Sequence, residues 1–314
     1  MPESDLQPSA ATERRLARLA VPALLVANLA LACGPWLVRL AQTESHVGPI
    51  GSGFWRLAIA MPLLLLAGTR ANEVRPPAWP RLFAVAFGSG LFFAADLAAW
   101  HIGILHTRLA NATLFGNITA ILFPAYGFLI ARRWPSRRQA VAMGLALAGA
   151  TLLLGRSYEL AARNIVGDLS CILAGLCYTL YLVTVDRARG RLGPITTLTM
   201  SMAAGIPALL LVAIGFGEQI RPDAWTPLVL LALGSQVIGQ GLILFALSRV
   251  QPIVVGLMLL VQPIVAATIG WLVYGERLTP FDVVGGIGIA VAVLLVRDTG
   301  RPLRAPEKRL EALP

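Results

Sequence analysis

Charge is what this sequence has least of. Only 13% of its residues are Asp, Glu, Lys or Arg, against about 25% in an ordinary soluble domain, so a water-soluble globular chain is excluded. Histidine and cysteine are equally sparse, with three of each. His46, His101 and His106 are scattered, as are Cys33, Cys171 and Cys177, without the close spacing that a zinc site needs. The cysteines all fall in apolar runs and are odd in number, so they read as packing residues and not as a disulfide framework. There is no GxSxG, no phosphate-cradling Gly loop with Lys and no HExxH, so no enzyme with those signatures is indicated and neither cofactor nor metal is expected. A period of two is missing as well, which argues against a membrane barrel.

Apolar sequence is what the chain has in abundance. Of its residues 57% are hydrophobic, in runs of about 20 that are long enough to cross a bilayer as helices. Backbone groups in hydrocarbon must bond one another, which makes helices the expected form. The runs fall at about 17–40, 52–68, 80–103, 109–131 and 138–155 and, after a polar link at 156–164, at about 166–186, 194–216, 225–247, 252–274 and 280–297. The expected fold is an all-α integral membrane protein with ten transmembrane helices, flanked by tails at 1–16 and 298–314. Arg14, Arg15 and Arg18 before an apolar run that reaches Cys33 have the look of a lipoprotein signal. The run continues to Leu40, however, so an uncleaved first helix is expected.

The net charge of +10 is distributed by side and not in patches. With the N-terminus inside, 19 of the 26 Lys and Arg fall on the side of both termini, including Arg14, Arg15, Arg18, Arg132, Arg133 and five in 297–309. The opposite side holds Arg39, Arg108, Arg156, Arg163, Arg221 and Arg277, while Arg56 lies just inside a span. This bias predicts cytoplasmic termini on a multi-pass protein of the bacterial inner membrane. The expected partners are the lipid bilayer and a small-molecule substrate, with no nucleic acid; the oligomeric state stays open between monomer and homodimer.

Ten runs in two sets of five invite comparison of the halves. An offset of 144 lays residues 110–134 on 254–278, each a long span ending in a short charged link before a Gly- and Ala-rich span. Five is odd, so the halves enter the membrane from opposite sides, as two inverted five-helix repeats at 17–155 and 166–297. The second half carries an Ala-Leu pair, Gln262-Pro263, Gly275-Glu276-Arg277-Leu278 and a Gly-rich last helix. The first carries GPWLVRLA (34–41), FWRLAIAMP (54–62), DLAAWHIGI (96–104) and NATLFGNI (111–118). On these motifs the chain resembles the EamA-type transporters of the drug/metabolite transporter superfamily over about residues 18–297. It departs from them at Ala131-Arg132-Arg133, where many relatives carry Gly-Glu-Arg, and at Gly34-Pro35-Trp36, where many carry Trp-Gly. The resemblance implies a central cavity lined by spans one, three, four, six, eight and nine.

Candidate site residues follow from polarity inside the runs. Asp96 is mid-span, where an acid costs roughly 2.5–3.5 kcal/mol on insertion scales, so it must face the protein interior or a wet cavity. A bound proton relieves that cost, which suits proton coupling, and a structural hydrogen bond between helices is the alternative. Trp100, four residues on, shares the face of Asp96. His101 is turned about 140° from Asp96, as a proton relay or a simple interhelical partner. Asn111 and Asn117 form the polar side of span four, as substrate contacts or interhelical glue. Gln236 and Gln240 lie on one face of span eight, and Gln251 and Gln262 are nearly eclipsed along span nine. Gln240 sits at the offset position of Asp96. Tyr178 and Tyr181 are weaker candidates, Arg56 is expected as an anchor or brace, and His46 and His106 are expected to do nothing specific. The function expected is a secondary transporter exporting amino acids, amines or related small metabolites by alternating access, with protons as the candidate coupling ion. Uptake, uncoupled facilitation and a non-transporting sensor or assembly role are the alternatives.

Overall fold

The computed structural model describes residues 10–70, 79–107, 109–155, 162–188, 192–274 and 279–296. The ends of both tails (1–9 and 297–314), Arg108, residues 156–161 of the link and the Gly275-Glu276-Arg277-Leu278 motif lie outside the described residues. The apolar runs fold as helices, and no strand occurs among the described residues. In the first half these are α1 (Ala10–Ala32), α2 (Gly34–Glu44), α3 (Pro49–Arg70), α4 (Trp79–His106), α5 (Leu109–Gly116), α6 (Thr119–Ala131) and α7 (Arg137–Gly155). The second half has α8 (Ile165–Ala188), α9 (Pro194–Gly215), α10 (Thr226–Leu231), a π-helical segment (Ala232–Gln240), α11 (Gly241–Leu247), α12 (Pro252–Leu259), α13 (Val261–Tyr274) and α14 (Pro280–Val296).

Seven helical stretches are long and apolar enough to cross a membrane: Arg15–Glu44, Pro49–Gly68, Ala84–His106, Asn111–Ala131, Ala162–Arg187, Pro194–Gly215 and Thr226–Leu247. Pro252–Val265 and Pro280–Val296 are shorter apolar helices. The expected count of ten exceeds these seven at α7, α12–α13 and α14.

Four of the runs are not continuous α-helices. The first turns at Cys33, with Pro35 in the first turn of α2, and helix continues to Glu44. The fourth breaks at Asn117–Ile118, where the Ile118 N–H turns to the Phe115 carbonyl at 3.2 Å and the Asn117 side-chain amide joins its own N–H on the Thr113 carbonyl at 2.8 Å. Thr226–Leu247 carries a nine-residue π-helical segment in its middle. The ninth run breaks at Leu260, because Pro263 has no N–H to bond the Leu259 carbonyl. Gln251 precedes α12 as its N-cap, so Gln251 and Gln262 do not share one unbroken helix as expected. The breaks in runs four and nine fall at nearly equivalent places under the offset of 144.

Packing pairs the halves. α3 lies on α9, α6 on α12 and α7 on α14, while α4 packs between α8 and α9 as α1 and α3 flank the π-helical run. The α4–α9 approach is close enough that a Cβ at Gly90 would overlap the Ser201 carbonyl. Between α7 and α14 a Cβ on Gly149 would meet the Gly285 carbonyl at 2.5 Å. The seam therefore runs through Gly149, Gly285 and Ile289, while Ala290, one position on, is exposed.

One end of the bundle is tied by its loops. The Glu218 carboxylate accepts from the Ile50 and Gly51 N–H groups at 3.2 and 2.8 Å, satisfying orphan donors at the start of α3. Trp55 Nε1 donates to the Ile220 carbonyl at 2.7 Å, and the Asp223 N–H donates to the Ser45 carbonyl at 3.0 Å. His46, in the left-handed region at φ 52°, pairs with Asp223 at 2.9 Å. His106, at the same end, is in the last turn of α4, where Nδ1 donates to the Ile102 carbonyl at 2.8 Å.

Candidate functional site

Arg56 is the residue on which the interior polar groups converge. Helix α3 begins at Pro49, which puts Arg56 about two turns inside the helix, beyond the reach of a snorkelling anchor. It is 2% exposed. Its Nε donates to Gln236 Oε1 at 3.1 Å and its Nη2 to the Ser235 carbonyl at 3.4 Å, and the guanidinium lies 6.0 Å from the centre of the Phe93 ring. A buried guanidinium is tolerated only when its charge and donors are met, and the π-helical segment supplies the acceptors.

Asp96 faces the same interior from α4 and is half-buried. It interacts with Arg56 through charge, yet the two form no ion pair within 4.0 Å and Asp96 has no hydrogen-bond partner among the described residues. The unlike charges are neighbours without neutralising each other by contact. Tyr178 on α8 exchanges a hydrogen bond with Gln240 at 3.3 Å. Phe93, Tyr181 and Tyr178 form a stacked row with centroids 4.7 and 5.8 Å apart, giving the site an aromatic wall.

Several buried polar atoms at this place have no partner among the described residues: Gln236 Nε2, Ser235 Oγ and Tyr181 Oη. An unsatisfied buried donor costs about 1–3 kcal/mol. A ligand offering acceptors would recover that cost. The arrangement thus brings a fixed cation, unsatisfied donors and a carboxylate into one interior.

The expected residues divide into two groups. Asp96, Gln236 and Gln240 meet at this cluster, joined by Arg56, Tyr178 and Tyr181. Trp100 lies one turn from Asp96, half-buried against α2 and α5. His101 points elsewhere: its Nδ1 lies 2.9 Å from the Pro49 carbonyl and 2.8 Å from Ser52 Oγ. Because a carbonyl only accepts, that geometry puts the proton on Nδ1 and makes His101 a tie to the start of α3. Asn111 donates to Asp168 Oδ1 at 3.0 Å, beside Thr107, which donates at 2.6 Å, so its amide joins α5 to α8. Asn117 serves its own helix break. Gln262 donates to Asn28 Oδ1 at 2.9 Å, linking the break before α13 to α1.

Arg56 and Asn28 are interior polar residues outside the expected site residues. Arg56 was hidden by a span boundary drawn at 52 instead of Pro49. Asn28, fully buried on α1, was legible as a lone amide in an apolar run, and its partner 234 residues away could not be read from spacing.

The profile of the EamA-like transporter family matches residues 18–155 and 165–297. Curated relatives include the threonine/homoserine exporter RhtA of Escherichia coli (strain K12), 27% identical over 160 residues, which are 51% of this chain and 52% of that protein. The threonine/homoserine exporter RhtA of Salmonella typhimurium (strain SL1344) is 28% identical over 149 residues, 47% of this chain and 50% of the relative. An uncharacterized transporter of Archaeoglobus fulgidus is 25% identical over 208 residues, 66% of this chain and 74% of the relative. The chain thus spans about half the length of the exporters it matches. A solved crystal structure shares the fold, with a TM-score of 0.71 at 17% identity over 91% of this chain and 99% of that one. With a helical bundle that carries membrane-crossing lengths, and two matches that together take in nearly all of the described residues, the chain belongs to the EamA-like transporter family.

Proposed function

We propose that this protein is a secondary exporter of amino acids, amines or related small metabolites across the bacterial inner membrane, with both termini in the cytoplasm. It works by alternating access between two inverted five-helix repeats, with α7, the α12–α13 pair and α14 completing ten spans. The observation that carries the reading is the interior pairing of Arg56 and Asp96 without contact. A zwitterion fits between such groups, its carboxylate toward Arg56, Gln236 Nε2 and Ser235 Oγ, and its ammonium toward Asp96. In the empty state Asp96 takes a proton, and exchange of that proton for the substrate amine couples the two fluxes. Gln240 and Tyr178 close the remaining side. Helices interrupted near a central site free carbonyls and donors for a ligand and supply hinges for rocking, which supports alternating access.

The test is export. Mass spectrometry of the medium from cells carrying wild type, Asp96→Asn or empty vector should show a metabolite raised by the wild type alone. Flux of that metabolite into sealed vesicles, measured with and without a proton gradient, then reads coupling. If wild type and empty vector give identical media and the purified protein moves no amino acid or amine, the reading is wrong.

A further inference from the structure

Trp100 is the large side chain of the interior whose placement the reading above leaves without a role. It lies four residues from Asp96, so it sits about 6 Å nearer the His106 end of α4. A Cβ on Gly34 would meet the far edge of its indole at 3.3 Å, and one on Gly116 would meet Nε1 at 3.3 Å. Both glycines stand at helix interruptions: Gly34 opens α2 after the turn at Cys33, and Gly116 closes α5 before the break at Asn117. The ring is thus slotted between the broken points of two different helices. Gly34 also lies against the charged cluster, since its Cβ would come within 3.2 Å of Ser235 Oγ, and the carbonyl of Ser235 accepts from Arg56. Beyond the ring, toward the loops, come the His101–Pro49 contact and then the Glu218 and Asp223 ties.

The geometry points to Trp100 as the partition between the Arg56–Asp96 site and the His106 end of the bundle, a positioning residue whose ring bounds the site and whose movement opens it on that side. Gly34 and Gly116 are the clearance that lets the ring occupy and leave its slot. Any added side chain there meets the indole, while the helix breaks supply the joints along which α2 and α5 draw apart. The inference rests on the transport reading, but its test reads access and not flux.

The experiment uses full-length protein in sealed vesicles of one orientation, with the three native cysteines replaced by serine and Ser235→Cys as reporter of the site. A membrane-impermeant thiol reagent is applied to the face carrying the His106 end, and labelling of residue 235 is followed by mass spectrometry. Trp100→Ala is expected to raise the labelling rate at least tenfold from that face and to leave the rate from the opposite face within twofold. Trp100→Phe is expected to fall between. Gly116→Val should hinder labelling in the presence of Trp100 and lose that effect when Trp100→Ala is added. If Ser235→Cys does not fold, Gln240→Cys serves as reporter with the same expectations. A Trp100→Ala rate unchanged within twofold, or raised equally from both faces, overturns the partition. Vesicle flux of amino acids is measured in parallel, so that failure of the transport reading shows as absent wild-type flux while labelling still reports on Trp100.

Discussion

On the proposed function, the residues that matter most are two opposite charges that share one interior without touching. A buried acid and a buried base would gain most by direct contact, and here each keeps groups open instead. Asp96→Asn preserves shape and is expected to express and fold while losing the pH-dependent flux of the wild type; a variant that keeps that flux would remove Asp96 from coupling. Arg56→Lys keeps the charge but not the planar fork, and is expected to lower flux by about tenfold or more, since a hydrogen bond to a charged group is worth about 1.5–3 kcal/mol. Asp96 was legible from sequence because a lone acid in an apolar run has few innocent explanations. Arg56 was not, because a cation near an apparent span edge is ordinarily an anchor, and only the start of α3 at Pro49 shows how deep it lies.

At the scale of elements, the site depends on departures from regular α-helix. Gln236 and Gln240 lie on the π-helical segment, where the wider turn presents Gln236 to Arg56 and Gln240 to Tyr178. Deleting Gly234, which has open space where a side chain would stand, removes a residue from this segment and should tighten it toward α-helix. Circular dichroism is then expected to be unchanged while flux falls at least tenfold; retained flux would show that the π geometry is dispensable. Gly90 marks the closest helix approach, and Gly90→Ala forces its new methyl group into the Ser201 carbonyl. A loss of about 1–3 kcal/mol is expected, read as a lower melting temperature in detergent. Helix existence was legible from length and hydropathy, and the interruption at Leu260 from Pro263. The π-helical segment was not, because one extra residue in a turn leaves no mark on composition.

Across the whole molecule, the two halves meet as counterparts, α3 on α9, α6 on α12 and α7 on α14. The loops before α3 and after α9 tie one end through Glu218, Asp223, Trp55 and His46. Glu218→Ala removes the acceptor for two N–H groups and should loosen that end. Spin labels at Glu44→Cys and Arg221→Cys are expected to show a second, longer distance in the Glu218→Ala background, and an unchanged distribution would mean that the tie is not what holds these loops together.

The sequence by itself determined that the chain is helical, membrane-embedded and made of two related halves, because these follow from hydropathy, run length and motif spacing, which are local or periodic. It also marked the polar residues that hydrocarbon would not tolerate without a reason. Which of them share a site was decided by the tertiary structure alone. His101 and Asp96 stand five positions apart and serve different neighbours, whereas Arg56 and Gln236 are 180 positions apart and in contact. The physical reason is that a long side chain in an apolar interior is placed by the partner it must find, and that partner belongs to whichever helix the packing brings beside it.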